Sequence, residues 1–326
     1  MSELRHDVLT GRLVLLAPGR ESRPSTFADR SDTPRGASGG SDRAPRACPF
    51  CPGHEHETPP EVARAGPGAP DTPGWRVRVV PNLYPIVGGD APGPGAGGAH
   101  EVVVLSPEHD ASFGDLDDDQ ATEVLTMLRA RARAHTDAGR PHVQLIVNEG
   151  RAAGASIEHP HAQVLALEFV PPAVTVAVDR FAQLGSNPVL ADLEDAVARD
   201  LAVVQGDQVA AWCPAGAASP YETRLAVLGT GARLQDASDG AVLGAAVVLR
   251  DVLAALGRTL DQDGRRVSYN VIVHNGPADV DDYHWWIGIV PRVAVVAGFE
   301  VATAVLVNTV DPAVAAERLR SCVSDR

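Results

Sequence analysis

The 326-residue sequence contains no lysine, so all 28 of its basic residues are arginines. A phosphate group bound by this protein must therefore be held by arginine, by histidine or by backbone N–H groups. Acidic residues number 42, which gives a formal net charge of −14. This balance argues against a nucleic-acid backbone or an anionic membrane as the main partner. It leaves room for a small anionic ligand held by arginines in a cleft.

Long apolar runs and cysteines are also scarce. No run approaches 18 apolar residues, and the first stretch, MSELRHDVLTGRL, lacks the apolar segment of a signal peptide. We therefore expect a cytoplasmic protein. The cysteines are Cys48, Cys51, Cys213 and Cys322. In a reducing compartment a Cys-x-x-Cys pair more often binds metal or performs redox chemistry than forms a structural disulfide.

The length and composition indicate a globular protein with about two domains, or one large unit with two lobes. Hydrophobic residues make up 44% and charged residues 21% of the chain, which is ordinary for a folded soluble protein. Two stretches, residues 24–46 and 88–99, are rich in Gly, Pro, Ser and Ala. Such compositions are typical of flexible insertions, so we place both outside the cores.

A weak internal repeat organises the rest of the chain. In each copy a strand is followed by a helix, a second strand, a loop and a third strand. The first copy has strands at 101–106, 143–150 and 161–170 and a helix over about Asp115–His135; the second has strands at 221–229, 269–277 and 284–293 and a helix over about Gly240–Thr259. The segments QLIVNEG…HAQVLAL and NVIVHNG…HWWIGIV can be aligned, which suggests duplication. The pattern predicts an α+β fold with antiparallel-rich sheets and helices packed on one side. Two unrelated α+β segments are the alternative.

The motif CPFC at residues 48–51 is the first chemical signal. Two thiolates at this spacing can bind one zinc ion, but they make only half of a site. Five histidines could complete it: His54, His56, His100, His109 and His159. Incidental or redox-active cysteines are the alternative, although no thioredoxin-like βαβ pattern surrounds the pair.

The stretch GASIEHPHAQ at residues 154–163 is the second signal. Side chains alternate along a strand, so His159, His161 and Gln163 share one face. The small residues that precede them leave backbone N–H groups open to phosphate oxygens. The histidine pair is compatible with zinc ligation, acid–base chemistry, nucleophilic catalysis or a structural hydrogen bond. Attack of a neutral imidazole on an activated phosphoryl group fits the whole set best.

These motifs resemble those of the galactose-1-phosphate uridylyltransferase family of the histidine-triad superfamily. HPHAQ is similar to the family's HPHGQ active-site motif. Other segments also match the family, in order along the chain: LTGRLVLLAPGRESRP (9–24), CPFC, VVPNLYP (79–85), HEVVVLSPEH (100–109) and VNEGRAAGAS (147–156). In the second half, PYETRLAVL and HWWIGIVPRVAVVAGFEVATAVLVN look closest to the plant ADP-glucose phosphorylase branch. The resemblance implies two tandem histidine-triad-like repeats: an N-terminal domain over 1–172 that holds zinc and nucleophile, and a degenerate C-terminal domain over 173–326.

The resemblance also implies a role for each site residue. A structural zinc ion would be held by Cys48, Cys51, His109 and His159 in a closed four-ligand site. His161 would attack the α-phosphorus of a nucleotide sugar and form a covalent nucleotidyl-histidine, with ping-pong kinetics. Gln163 would bind a phosphate oxygen. The remaining contacts would come from Gly154, Ala155 and Ser156 (backbone N–H groups to the phosphates), Asn82 and Asn148 (nucleoside side), and Arg20 and Arg23 (phosphates).

The implied activity is transfer of a nucleoside monophosphate from UDP-hexose to hexose 1-phosphate in a homodimer. ADP-glucose or dinucleoside-polyphosphate phosphorolysis, or hydrolysis, is the alternative within the family. A catalytically silent nucleotide-binding or zinc-sensing module is the alternative from another class. Two departures from the family matter. The second repeat has only His284 beside WWIG, so we expect no second metal, and the absence of lysine puts recognition of galactose 1-phosphate in doubt.

Overall fold

A computed structural model describes residues 3–16, 48–88, 97–229, 231–260 and 266–324. Within these ranges the strands are β1 (Glu3–His6), β2 (Leu13–Leu16), β3 (Ala63–Ala65), β4 (Val77–Pro81), β5 (Gly98–Val104), β6 (His142–Glu149), β7 (His161–Leu167), β8 (Ala202–Gln205), β9 (Val209–Trp212), β10 (Thr223–Val227), β11 (Tyr269–His274), β12 (Trp286–Pro291) and β13 (Leu306–Asn308). The α-helices are α1 (Asp118–Asp137), α2 (Pro172–Leu184), α3 (Pro188–Ala198), α4 (Asp239–Leu260), α5 (Gly298–Thr303) and α6 (Pro312–Ser324).

One antiparallel sheet runs through both repeats. Its order is β3-β4-β5-β7-β6-β11-β12-β10-β9-β8, while β1, β2 and β13 form a separate small sheet. The three predicted strands of the first repeat are β5, β6 and β7, and those of the second are β10, β11 and β12. Both triplets occur in the same order, counted from the outside of the sheet to its centre. The predicted α+β class with tandem repeats is confirmed.

The two repeats meet at the β6–β11 pair in the middle of the sheet. Ile146 pairs with Ile272, and Asn148 pairs with Asn270. These pairings match the alignment of QLIVNEG with NVIVHNG, because Ile146 and Ile272 hold the same place in the two segments. A pseudo-twofold axis therefore passes between the two isoleucines. The internal duplication suggested by the sequence has a direct structural counterpart here.

The register corrects the alignment of the last strands. Gln163 and Gly288 pair with the central isoleucines of their own repeats, so these two residues correspond. His161 then corresponds to Trp286, two residues earlier in each strand. Aligning HAQVLAL with HWWIGIV instead places His161 on His284, which is wrong by two residues. A slip of two keeps every side chain on its own face, so the hydrophobic pattern cannot detect it.

Three helices cover one face of the sheet. Helices α1, α4 and α6 bury their apolar sides in the main core, which also contains Val143, Leu145 and Ile287. Helix α1 begins at Asp118 and not at Asp115, because the Asp117 side chain accepts a hydrogen bond from the Gln120 N–H and caps the helix. Helix α4 is long and apolar enough to cross a membrane by composition alone. It packs against α1, α6, β9 and β10, as a core helix does.

The opposite face is covered differently in the two halves. Over the second half, Phe181 of α2 and Val189 of α3 pack with Trp212 and Trp286. Over the first half, Phe50 and Trp75 pack on the β4 and β5 side. The same face of β5, β6 and β7 carries the polar side chains described next. Residues 24–46 lie outside the described residues, as does most of 88–99, where strand β5 begins at Gly98.

Candidate active site and metal centre

Four side chains converge on a point at the edge of the first repeat. The ligand atoms of Cys48, Cys51, His109 and His159 all lie within 4.8 Å of one another. The Cys51 Sγ is 3.4 Å from the His109 Nδ1 and 3.7 Å from the His159 Nδ1. Tetrahedral zinc, with typical Zn–S and Zn–N bonds, separates sulfur from nitrogen by about 3.6 Å. The donor set and its spacing fit one zinc ion.

Local structure prepares three of the four ligands for a metal. The Cys51 N–H donates to the Cys48 carbonyl over 3.1 Å and closes the turn that brings the two sulfurs together. The His159 Nε2 donates to the Ser106 carbonyl over 2.8 Å, which leaves Nδ1 as the ligand atom. Burial lowers the pKa of His159 to about 4, so its ring is neutral. Burial and the neighbouring Cys48 raise the pKa of the Cys51 thiol to about 11, and a bound cation would deprotonate it.

The other three candidate histidines are engaged elsewhere. His54 contacts Glu57 over 3.1 Å, and the His56 ring stacks beside the His54 ring at 6.3 Å. His100 bonds Gln163 on the face of the sheet. The choice that composition left open is therefore made by topology, which brings His109 and His159 to the cysteines.

His161 is held in one tautomer by the backbone. Its Nδ1 lies 2.8 Å from the His159 carbonyl oxygen, and because a carbonyl only accepts, Nδ1 carries the proton. The Nε2 lone pair is then free to act as a nucleophile. Burial lowers the pKa of His161, which keeps the ring neutral. The ring of Phe50, between the two cysteines, lies 5.7 Å from the His161 ring, so the cysteine turn packs directly on this side chain.

A second histidine orients Gln163. The Gln163 Oε1 accepts from the His100 Nε2 over 2.8 Å, while the His100 Nδ1 accepts from the Ile86 N–H over 3.2 Å. Both roles are consistent with a single neutral tautomer of His100. With its oxygen occupied, Gln163 has its NH₂ group left to donate, and an NH₂ group suits an anionic oxygen. Asn82 lies against the same ring, and its Oδ1 accepts from the Tyr84 N–H over 2.9 Å.

The loop after β6 supplies fewer free N–H groups than the sequence predicted. The Gly154 N–H donates to the Arg151 carbonyl and the Ala155 N–H to the Gly150 carbonyl, because the loop folds into a short 3-10 turn. These two N–H groups have backbone partners here, and their role as phosphate donors stays a prediction. Among the three residues predicted there, the Ser156 N–H alone makes no hydrogen bond within the described ranges.

Asn148 lies beside the nucleophile and is linked to the second repeat. Val147 pairs with Ala162, so Asn148 and His161, the next residues on the antiparallel strands, are neighbours on one face. The Asn148 Oδ1 accepts from the Asn270 Nδ2 over 2.7 Å. Its own NH₂ group is left for a ligand. Arg20 and Arg23 lie outside the described residues, so their predicted contacts are not placed.

The sequence did not indicate three residues that the structure links to this site: His100, Asn270 and Arg292, whose Nε donates to the Asn270 Oδ1 over 2.5 Å. The sequence indicates His100 only as a candidate zinc ligand, although alternation along the strand places it on the same face as Val102 and Val104. Asn270 occupies the place of Gln144 in the second repeat, so the repeat alignment could have flagged it. Nothing in the sequence indicates that Arg292 lies near the site, because its position relative to Asn270 depends on the register of the strands.

The equivalent place in the second repeat has lost this chemistry. His284, which corresponds to His159, accepts at Nδ1 from the Asn187 amide over 2.6 Å and donates from Nε2 to the Val227 carbonyl over 2.9 Å. Trp286, in the place of His161, stacks on His274 with ring centres 3.6 Å apart. The absence of a second metal stays a prediction.

The comparisons with known proteins agree with this architecture. The model of a domain of unknown function, DUF4921, matches residues 99–325. ADP-glucose phosphorylase of Arabidopsis thaliana is 29% identical over 338 residues, which cover 98% of this chain and 92% of that protein. A galactose-1-phosphate uridylyltransferase of Streptomyces lividans is 30% identical over 235 residues, which cover 69% of this chain and 56% of that protein. The crystal structure of the Arabidopsis phosphorylase with bound ADP-glucose superimposes with a TM-score of 0.81 at 26% identity, covering 98% of this chain and 99% of that one.

The fold and the similarities define an enzyme of the histidine-triad superfamily, of the nucleotidyltransferase or phosphorylase type. Within that superfamily, the chain matches the DUF4921 model over most of its length and belongs to the galactose-1-phosphate-uridylyltransferase-like family.

Proposed function

We propose that the protein transfers a nucleoside monophosphate from a nucleotide sugar to an anionic acceptor through a covalent intermediate on His161. The observation that carries this proposal is the fixed tautomer of His161. Its Nδ1 proton is held by the His159 carbonyl, so the lone pair is on Nε2, and Gln163 lies on the same face of β7. A neutral, oriented imidazole next to a phosphate-oxygen donor is suited to nucleophilic attack on phosphorus.

The reaction balances in two displacement steps. The His161 Nε2 attacks the α-phosphorus, a P–N bond forms, and the bond to the bridging oxygen breaks. The sugar 1-phosphate leaves with the electron pair of that bond. An oxygen of the acceptor phosphate then attacks the same phosphorus, and the P–N pair returns to Nε2. The NH₂ group of Gln163 would stabilise charge on a non-bridging oxygen in both steps.

For the donor and acceptor, we place ADP-glucose and inorganic phosphate first. The similarity to ADP-glucose phosphorylase extends over nearly the whole of both chains, whereas the Streptomyces uridylyltransferase match covers 56% of that enzyme. The sequence motif HPHAQ favoured UDP-hexose with hexose 1-phosphate, and this pair is the second candidate. The lack of lysine in the chain supports the ordering.

The metal in this proposal is zinc, held by Cys48, Cys51, His109 and His159. With four protein ligands it has no open position, so its contribution is structural. It would fix the strand that carries His161 and, through Phe50, the packing against that ring. We also propose a cytoplasmic setting, where the thiol ligands stay reduced.

The test is a trapping experiment with nucleotide sugars labelled at the α-phosphorus. Protein incubated with ADP-glucose or UDP-glucose is quenched, and label retained on the polypeptide is counted. Label from only one of the two nucleotide sugars identifies the base, adenine or uracil, that the enzyme prefers. Adding phosphate, glucose 1-phosphate or buffer to the isolated labelled protein then names the acceptor by the product released. If neither donor labels the wild-type protein, so that wild type and His161→Gly retain equally little label, the proposal fails.

A homodimer is part of the proposal. Two segments of the chain carry exposed apolar side chains: Tyr84 and Ile86 are 82% and 73% exposed, and Val295 and Val301 are 90% and 77% exposed. Apolar side chains concentrated in this way are typical of an interaction surface. Light scattering is expected to give twice the 34.1 kDa chain mass. A Val295→Glu variant is expected to shift toward the monomer, and a monomeric wild type would contradict this part.

A further inference from the structure

Arg292 differs from most arginines that the structure describes. Many of those are paired with carboxylates; Arg78, for example, contacts Glu61 over 2.9 Å and Arg320 contacts Asp200 over 2.9 Å. Arg292 is exposed, and its Nε donates to the Asn270 Oδ1 over 2.5 Å. Its two terminal nitrogens make no hydrogen bond or ion pair within the described ranges. The bond from Nε therefore fixes the orientation of the guanidinium and leaves its two terminal nitrogens available to a ligand.

The bond to Asn270 places this guanidinium beside the site. The Asn270 Nδ2 donates both to the Asn148 Oδ1, over 2.7 Å, and to the Ala153 carbonyl in the loop after β6, over 2.9 Å. Asn148 is the cross-strand neighbour of His161. Since neighbouring strands are about 4.8 Å apart, Asn270 lies roughly 10 Å from the nucleophile on the same face. A guanidinium hydrogen-bonded to Asn270 can therefore reach a phosphate group that is linked directly to the transferred phosphorus.

A second arginine, Arg151, lies in the loop after β6, whose Ala153 carbonyl accepts from Asn270. Arg151 is exposed, and in the described part of the chain it forms no ion pair. The protein carries a net charge of −14, so its overall field repels an anionic substrate. Local positive charge is needed to overcome that repulsion. Two arginines without carboxylate partners beside one loop provide it.

We propose that Arg292, assisted by Arg151, binds the phosphate that leaves or attacks the transferred phosphorus: the β-phosphate of the nucleotide sugar and the anionic acceptor. This inference rests on the proposed function. The planar guanidinium can present two N–H donors to one phosphate, and the bond from Nε to Asn270 holds it in place beforehand. Arg292 thereby selects a phosphate acceptor over water, which makes no use of the positive charge.

The first experiment measures binding without turnover. Affinities of wild type and Arg292→Gln for ADP, UDP, AMP and UMP are measured by calorimetry. The variant is expected to bind the diphosphate of the preferred base about ten- to a hundredfold more weakly, as expected for loss of a charge-assisted contact, with the monophosphate nearly unchanged. Arg199→Gln is the control, because Arg199 is exposed and paired with Asp195 at the end of α3. Equal losses for mono- and diphosphate, or no loss, would overturn the proposal.

The second experiment follows the isolated nucleotidyl-enzyme. Arg292→Gln is expected to raise the phosphate concentration needed for half-maximal discharge about ten- to a hundredfold. Discharge by water should stay unchanged, and Arg292→Lys should lie between, since it keeps the charge without the planar fork. Unchanged discharge by phosphate would overturn the role of Arg292. If wild type forms no intermediate, the proposed function fails, and the comparison of mono- and diphosphate binding still decides Arg292.

Discussion

Two histidines in this site have their protons placed by backbone groups. The His159 carbonyl accepts from the His161 Nδ1, and the Ile86 N–H donates to the His100 Nδ1. In each ring the opposite nitrogen is thereby assigned: a lone pair on His161 and a proton on His100. Backbone atoms move little, so both assignments are made before any substrate arrives.

At the residue scale we predict that His100→Phe lowers the rate of intermediate formation about ten- to a hundredfold, with a smaller effect on substrate affinity. The phenyl ring fills the space but cannot donate to Gln163, whose amide is then free to turn its oxygen to the phosphate. His100→Gln keeps a donor and should retain more activity. The measurement is single-turnover labelling of His161.

The matched control is His142→Phe. His142 is also buried, and its Nε2 lies 3.4 Å from the Oε1 of Gln144 on the same strand, β6, at the end away from the nucleophile. It tests the general cost of replacing a buried histidine by phenylalanine. If both variants lose the same fraction of activity, His100 has no specific role in orienting Gln163.

At the element scale, the cysteine turn and strand β7 form one unit. Phe50 of the turn contacts both His159 and His161, with ring centres 6.2 Å and 5.7 Å away. Loss of the metal would release the turn and loosen the start of β7. We predict one zinc per chain in freshly purified protein, measured by elemental analysis. A thiol-chelating treatment should lower the melting temperature by several degrees and slow labelling of His161.

Two cysteine variants compare a thiol inside the four-ligand cluster with a thiol outside it. Cys51→Ser should lose both zinc and stability, while Cys322→Ser, which changes a thiol outside the cluster, should lose neither. Protein free of zinc that is nevertheless stable and fully reactive would contradict the four-ligand assignment.

The end of strand β6 carries a buried carboxylate that makes stability depend on pH. Burial raises the pKa of Glu149 to about 7, above its ordinary value near 4.5. Between these two values the folded state holds a proton that the unfolded state releases, so stability falls as pH rises through this window. Glu149→Gln, which stays neutral, should lose less stability than wild type from pH 5 to pH 8, by up to about 3 kcal/mol. Urea unfolding at both pH values measures the difference. Identical pH dependence in the two proteins would contradict the raised pKa.

At the scale of the whole molecule, much of the architecture could be predicted from sequence. Periodicity located α1, α4 and six strands, because these are long and strongly patterned. The zinc ligands and His161 came from motifs with a family resemblance. Contacts between strands could not be predicted, since pairing register leaves no local mark on a sequence. Arg292 was missed for this reason, as was the two-residue slip at Trp286. For His100 and Asn270 the sequence held a signal, in strand alternation and in the repeat alignment, but neither signal names the side chain that each one contacts.

The boundary between residues 172 and 173 stays a prediction, and the central β6–β11 pair suggests how to test it. Cutting the chain there would expose two long strand edges that are paired in the intact protein. We expect residues 1–172 and 173–326 to be insoluble when expressed separately and to recover labelling activity when co-expressed. A soluble, active 1–172 fragment would show that the second repeat is dispensable, against the roles of Asn270 and Arg292.

The most direct test of the whole account is mass spectrometry of the trapped intermediate. Protein quenched during turnover with its nucleotide sugar is digested under mildly alkaline conditions, in which phosphoramidates survive. The account predicts a peptide heavier by one nucleoside monophosphate, with the modification on His161 and none in the His161→Gly variant. Turnover with an unmodified His161, or modification of another residue that persists in His161→Gly, would contradict it.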